Sequence, residues 1–312
     1  MTRIITHYFF ERAVSLILHN EEELITYKKG LFHYTTPAGL LGILKSQKIW
    51  ATEASYLNDA KELHYGLNLA IEELKSISTK EECKFIISLI QETIDEIKLP
   101  NEETYIACFS EDGDLLSQWK GYAGFGLGFS IELDSQELLR TKRKGEYFSI
   151  AINKVIYNQE KQRSIIREET LHFISKAKEL ISLHPEKSED ISGQAASALA
   201  YFITNKSIFF KSPAFSEERE WRAIRINPNE DGLDLINHRQ EIKFRASNDS
   251  IIPYLELDIG PSAQKTSWVL PIKRIISGPK INHERAEKSI NLIYREIKTT
   301  PPAVEKSAIP LQ

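Results

Sequence analysis

Helix-forming and strand-forming segments are segregated along this chain, and that segregation restricts the fold more than any single motif does. Amphipathic helical patterns cover residues 8–28, a stretch that opens at Asn58 and reaches about 75, and about 80–97; two more follow at about 159–183 and 189–209. Strand patterns, rich in β-branched and aromatic residues, occupy 31–34, 48–51, 104–110, 125–133 and 147–157. The last third adds strands near 221–226, 240–246, 251–258 and 272–277 before a helix over 283–298. Strands that follow one another predict an α+β fold around a mainly antiparallel sheet. On this reading, residues 1–298 form a single domain with a helical N-terminus and a helical insertion at about 158–210. Residues 299–312, opening on Thr-Thr-Pro-Pro, are expected to be a disordered tail.

Forty basic against forty-four acidic side chains leave a net charge of −4. No nucleic-acid or membrane footprint exists at whole-chain level. The two cysteines, Cys83 and Cys108, form no CxxC pair and neighbour no histidine cluster, so no disulfide framework or zinc site is indicated. The first residues break their apolar runs with charges and lack a signal-peptide core, and no apolar run approaches the roughly 20 residues needed to cross a bilayer. The expectation is a soluble cytoplasmic protein with no membrane partner.

Three polar clusters fall at strand ends. In Phe215-Ser-Glu-Glu-Arg-Glu-Trp-Arg-Ala-Ile224, a strand beginning by position 218 would line Glu218, Glu220 and Arg222 along one side, with Trp221 and Ala223 on the other. Burying an unpaired charge is costly, so such a row is either a solvated salt-bridge ladder or a wall of a polar pocket. Lys211 lies shortly before it. His33-Tyr34-Thr35-Thr36 ends the first strand; its histidine can donate one hydrogen bond and accept another, or be half-buried ahead of a helix that Thr36 caps and Pro37 opens. The third cluster runs from Cys108 and Ser110 to Ser117, Trp119 and Tyr122. Its serines suit a ribose or phosphate and its rings a planar group, or the rings are core. Gly121, Gly124, Gly126 and Gly128 follow in helix-to-strand order, the reverse of a dinucleotide fingerprint, and read as a tight turn or a close backbone approach. Asn58, Asp59 and Glu62 form a weaker cluster: D-x-x-E is capping-box spacing, or a carboxylate pair that faces a pocket or holds magnesium.

These residues together resemble a bacterial domain-of-unknown-function family, number 2971. The resemblance is carried by Phe32-His-Tyr-Thr-Thr36, Lys48-Ile-Trp with Asn58, Asp59 and Glu62, Cys108-Phe-Ser110 with Ser117, Trp119 and Tyr122, and Lys211 with Glu218-Arg-Glu-Trp-Arg222; Gly278-Pro279 fits as well. More distantly, a strand with His before Tyr or Thr, a strand ending in Ser and a strand carrying Glu resemble the three-part signature of ADP-ribosyltransferases. That resemblance implies an ADP-ribosyltransferase-like sheet core and cleavage of the nicotinamide–ribose bond of NAD or a related nucleotide. NAD is then a substrate, and no metal is needed. His33, with Thr35 and the neighbouring Tyr34, would hold NAD, with Ser110, Ser117, Trp119, Tyr122 and Arg222 completing the binding set. Glu220 would be catalytic and Glu218 would orient an acceptor, a protein or a nucleic acid. Arg222 on the same face favours an ionised Glu220. The chain departs from that signature in its His-Tyr-Thr motif, its middle motif and its helical insertion. By analogy the protein is expected to act as a toxin or phage-defence effector. Two other classes compete: a metal-dependent nuclease or hydrolase using Asp59, Glu62, Glu218 and Glu220, and a non-catalytic module that senses a nucleotide.

Overall fold

The computed structural model describes residues 2–18, 26–57, 60–97, 104–139, 150–226, 241–247, 250–259 and 270–310. The chain is α+β and divides into two compact units, each assembled from discontinuous segments.

One unit comprises residues 1–20, 54–102 and 155–216. Its helices are Thr2–Leu18, Ala60–Ser78, Lys84–Glu96, Gln159–Leu183 and Ser188–Ser207. Asn158 caps the fourth, its side chain accepting from the Lys161 amide at 2.8 Å. Phe9 stacks on Phe173 at 5.8 Å, within a core that includes Leu74, Leu89, Ile166, Leu199 and Phe202. The residues at 158–210, expected as an insertion, thus share an apolar core with the N-terminal helix. No helix among the described residues is long and apolar enough to cross a membrane.

The other unit, residues 21–53, 103–154 and 217–312, holds the sheet. Its strands are β1 (Gly30–Thr35), β2 (Ile49–Glu53), β3 (Thr104–Ser110), β4 (Phe129–Asp134), β5 (Ile150–Lys154), β6 (Glu220–Ile226), β7 (Lys243–Ala246), β8 (Ile251–Leu257), β9 (Ile272–Ser277) and β10 (Ala303–Lys306). They run in the order β10-β9-β4-β1-β3-β2-β8-β7, with β6 also on β3 and β5 on β6. Among these described strands the β9–β10 ladder is parallel and the others are antiparallel. Alternation sends Leu31, Ala107, Phe109, Ile131, Trp221, Ala223 and Leu255 to one face. There they pack with Leu40, Ile43 and Leu44 of the helix Pro37–Ser46 and with Ile290 and Tyr294 of the helix His283–Glu296. As the sequence predicts, Thr36 caps the first of these, accepting from the Gly39 amide at 3.2 Å, with Pro37 in its first turn.

The end expected as a disordered tail instead contributes β10, beside β9. The Ser307 hydroxyl donates to Asp114 Oδ1 at 2.5 Å, and the Ala308 amide donates to Oδ2 at 2.7 Å. Ladder bonds and a part-buried Asp–Ser contact offset the chain entropy that composition alone suggested would win. The glycine-rich stretch is a tight turn, as expected: Gly126 sits at φ 88°, and its carbonyl accepts from the Lys280 amide at 3.0 Å. A Cβ on Gly278 would lie 2.5 Å from that same carbonyl oxygen.

At β3 the sheet forks. One edge of β3 pairs with β6 along its whole length, from Thr104↔Ile226 to Ser110↔Glu220. The other edge is shared: β1 joins only at Phe32↔Ser110, and β2 only at Thr52↔Ile106 and Glu53↔Tyr105. Between those contacts, no strand among the described residues pairs with Ala107, Cys108 and Phe109 on that edge. A gap therefore opens between β1 and β2, one strand away from Glu220.

Candidate functional site

The charged row predicted before Trp221 is present but starts later than expected. Residues Pro213–Glu218 form a 3₁₀ turn, and Arg219 adopts a left-handed φ of 43° before β6 begins at Glu220. Arg219 thus breaks the alternation that would have aligned Glu218 with the row. The Glu218 carbonyl instead accepts from the Ser110 hydroxyl at 2.8 Å, and the same hydroxyl accepts from the Asp112 amide at 3.1 Å. Ser110 thereby ties the end of β3 to the start of β6.

Glu220 and Arg222 share the face opposite the main core and form a bidentate pair. Arg222 Nε donates to Oε1 at 2.7 Å and Nη2 to Oε2 at 3.0 Å, with side chains only 3% and 7% exposed for Arg222 and Glu220. The planar fork matches the carboxylate, the geometry that makes such charge-assisted bonds strong. Across the sheet, Cys108 and Asn153 pair with Arg222 and Ser110 pairs with Glu220, so the row broadens into a polar patch over β5, β6 and β3. Asn153 is buried and was not singled out from sequence; an Asn in a five-residue strand carries no local signal.

His33 lines the fork. Its Nδ1 lies 2.9 Å from the Cys108 carbonyl oxygen, the backbone group that the missing ladder would have satisfied. A carbonyl only accepts, so Nδ1 carries the proton and, in the neutral ring, Nε2 is an acceptor. The ring tilts against Phe109 at 5.7 Å. Burial is the main cause that holds the His33 pKa below its usual 6.5; the Cys108 bond opposes the shift and the charge of Arg245 adds to it. His172 is lowered too, mainly by burial. Both groups bind protons more readily in the unfolded chain. Their contribution to stability is complete above about 6.5 and declines as pH falls from there toward the folded pKa. Urea denaturation should therefore give a lower unfolding free energy at pH 5.5 than at 7.5, and His33→Gln should reduce that difference. An unchanged difference would contradict the assignment. In NMR titrations Arg245→Ala should raise the His33 pKa.

The register also separates groups that the sequence reading brought together. His33 pairs with Ile131 on the core face, whereas Phe32, Ser110 and Glu220 share the other face. Imidazole and carboxylate therefore leave opposite faces of the sheet. What joins them is β3: His33 is bonded at Cys108 and Glu220 is paired at Ser110, two residues or roughly 7 Å apart along the strand.

Trp119 is fully buried in a small cluster with Phe32, Tyr34, Ala123 and Ile276, and its Nε1 donates to Asp114 at 2.6 Å. It is a core residue and presents no ring to a ligand. The Tyr34 hydroxyl donates to the Asp112 carbonyl and accepts from the Leu115 amide, both at 2.9 Å, pinning the loop after β3. Burial pushes its pKa up. Tyr122 is half-buried beside the same cluster. The Ser117 hydroxyl is buried and has no hydrogen-bond partner among the described residues. Thr35 is half-buried at the end of β1. Lys211 belongs to the helical unit, where it is 1% exposed and its Nζ lies 5.0 Å over the Phe215 ring. Asn58 and Asp59 lie outside the described residues, and Glu62 lies in the helix Ala60–Ser78 with its side chain outside them. Among the described residues, no group of three His, Cys, Asp or Glu side chains is arranged to hold a metal ion.

Fold and cluster together define an α+β chain with a forked sheet and a buried ion pair beside the fork. Residues 118–223 match the family described as "Protein of unknown function (DUF2971)". This span begins one residue before Trp119 and ends one residue after Arg222. No curated protein and no solved structure matches the chain.

Proposed function

We propose that the chain is an ADP-ribosyltransferase-like enzyme that binds NAD or a related nucleotide at the β3 fork and cleaves its nicotinamide–ribose bond. The observation that carries this reading is the fork: the histidine, serine and glutamate strands are neighbours, and His33 and Glu220 meet β3 two residues apart. Neutral His33 lines the gap from the core face, opposite Glu220, so its Nε2 accepts from a nucleotide hydroxyl only where the ligand passes between β1 and β2. The bond between the ribose C1′ and the pyridinium nitrogen breaks, and its electron pair leaves on neutral nicotinamide. The oxocarbenium-like sugar is stabilised by the Glu220 carboxylate until an acceptor hydroxyl or water attacks C1′ and gives up its proton. Chemistry of this kind on a cellular nucleotide suits a toxin or phage-defence effector, with a protein or nucleic acid as acceptor.

Incubation with NAD, with nicotinamide release followed chromatographically, tests the reading. Glu220→Gln should lower release by about 10²–10³-fold. Absence of release from the wild type with water, protein and nucleic-acid acceptors, or undiminished release from the variant, overturns it. One observation favours a second reading: both Glu220 oxygens are taken by Arg222. A nucleotide-sensing module without turnover follows from that, and it predicts thermal stabilisation by the ligand alone.

A further inference from the structure

The strands on the far side of the fork carry a second group of residues that the reaction does not use. Arg245, on the edge strand β7, reaches across β8 to β2, and its Nη2 donates to Thr52 Oγ1 at 2.7 Å. Its guanidinium lies 5.7 Å from the Trp50 ring and 5.6 Å from the Tyr254 ring, which are themselves 4.5 Å apart. These contacts hold the plane of the guanidinium in place. Among the described residues, no carboxylate pairs with it. Two residues away on β7, Lys243 is paired with Glu256 at 2.8 Å. Thr52 pairs across β3 with Ile106, two positions before Cys108, so Arg245 is anchored beside the fork. Burial disfavours its charged form, and its field is felt at His33. A partly desolvated cation with fixed orientation and unspent N–H donors matches one ligand chemistry, a phosphate anion held in bidentate fashion.

From this arrangement we infer that Arg245 and Thr52, supported by Trp50 and Tyr254, form the phosphate-binding subsite for the nucleotide that enters the fork. The inference rests on the nucleotide reading for what the phosphate belongs to, and on this cluster alone for the anion. Trp50 and Tyr254 hold the guanidinium through cation–π contacts, and Thr52 accepts from one of its donors. The remaining donors face the phosphate. Lys in place of Arg keeps the charge and loses the fork.

Isothermal titration with ADP, inorganic pyrophosphate and adenosine, on the full chain, tests the assignment. Wild type should bind ADP and pyrophosphate but not adenosine. Arg245→Ala should weaken both by roughly ten- to a hundredfold and Arg245→Lys by less. Thr52→Val, which leaves the Arg245 charge in place, should weaken binding mildly; unchanged melting of each variant shows that the fold survives. Tighter binding of ADP than of pyrophosphate assigns the site to a nucleotide, and equal binding to the free anion; either supports a phosphate subsite. No ADP binding by wild type, adenosine binding as tightly as ADP, or ADP binding unaffected by Arg245→Ala overturns it. The two proposals fail separately. Loss of ADP binding in Arg245→Ala with no nicotinamide release from wild type removes the reaction and keeps the subsite. Release by wild type with an unchanged KM for NAD in Arg245→Ala does the reverse.

Discussion

Glu220→Ala is expected to lower the unfolding free energy by about 3–5 kcal/mol, and Arg222→Ala by a similar amount. Each variant leaves its partner charged in a site where Arg222 and Glu220 are 3% and 6% exposed. Attraction between the two is not the source of that cost; the desolvated charge that loses its bidentate partner is. Replacing both by apolar residues of similar volume, Glu220→Leu with Arg222→Met, should therefore cost less than either single change. Urea denaturation followed by circular dichroism measures all three. A single-variant loss of about 1 kcal/mol or less, the range of exposed ion pairs, would mean that water or another group takes up the orphaned charge. Glu220→Gln also leaves the Arg222 charge unbalanced, but it keeps the side-chain size and an amide oxygen that accepts one of the two bonds, so it should cost less than Glu220→Ala while losing the carboxylate charge. That difference makes Gln the variant for activity and Ala the variant for stability.

Trp119→Ala should be nearly as damaging, at about 3–5 kcal/mol, because it empties a site with no solvent exposure. Tyr34 meets the indole edge-on at 5.0 Å, so the aromatic contact is lost together with the volume. The effect should spread to the C-terminal strand. Asp114 Oδ1 takes the indole N–H at 2.6 Å and the Ser307 hydroxyl at 2.5 Å, and its Oδ2 takes the Ala308 amide at 2.7 Å. Trp119→Phe keeps a ring but removes the N–H and part of the indole volume, so it should cost less than the Ala change, about 1–3 kcal/mol. Amide exchange at Ser307 and Ala308 should quicken in the Ala variant and much less in the Phe variant. Were Trp119 a ligand-covering ring, its loss would abolish nucleotide binding and leave stability intact.

Local chemistry made part of this molecule legible in its sequence. Segregated helical and strand patterns identified an α+β chain, because periodicity is a property of neighbours along the backbone. Thr36 and Pro37 marked a helix start, since a cap needs only residues within one turn. Glu220 and Arg222 were recognisable as one row because i and i+2 share a face of any strand, whatever lies beside it. The same argument failed at Glu218, where Arg219 adopts a left-handed φ of 43° that nothing in its side chain announces.

Other features depend on contacts between residues far apart in sequence. Trp119 was equally readable as a binding ring or as core until Phe32, Tyr34 and Ile276 closed around it. The tail was read as disordered from its composition, which says nothing of the open edge that β9 offers it. The cluster of Trp50, Thr52, Arg245 and Tyr254 joins strands almost two hundred residues apart, and Arg245 sat unnoticed in an ordinary edge-strand pattern.

Most of the strands, the Thr36 cap and the shared face of Glu220 and Arg222 follow from the sequence by itself, since each is decided by residues a few positions apart. Tertiary structure alone decided that β1 and β2 share one edge of β3, that a fork opens at Cys108, and that His33 and Glu220 leave opposite faces. Alternation sets which side chains go together within a strand, but the register between strands is chosen by the whole core that they enclose.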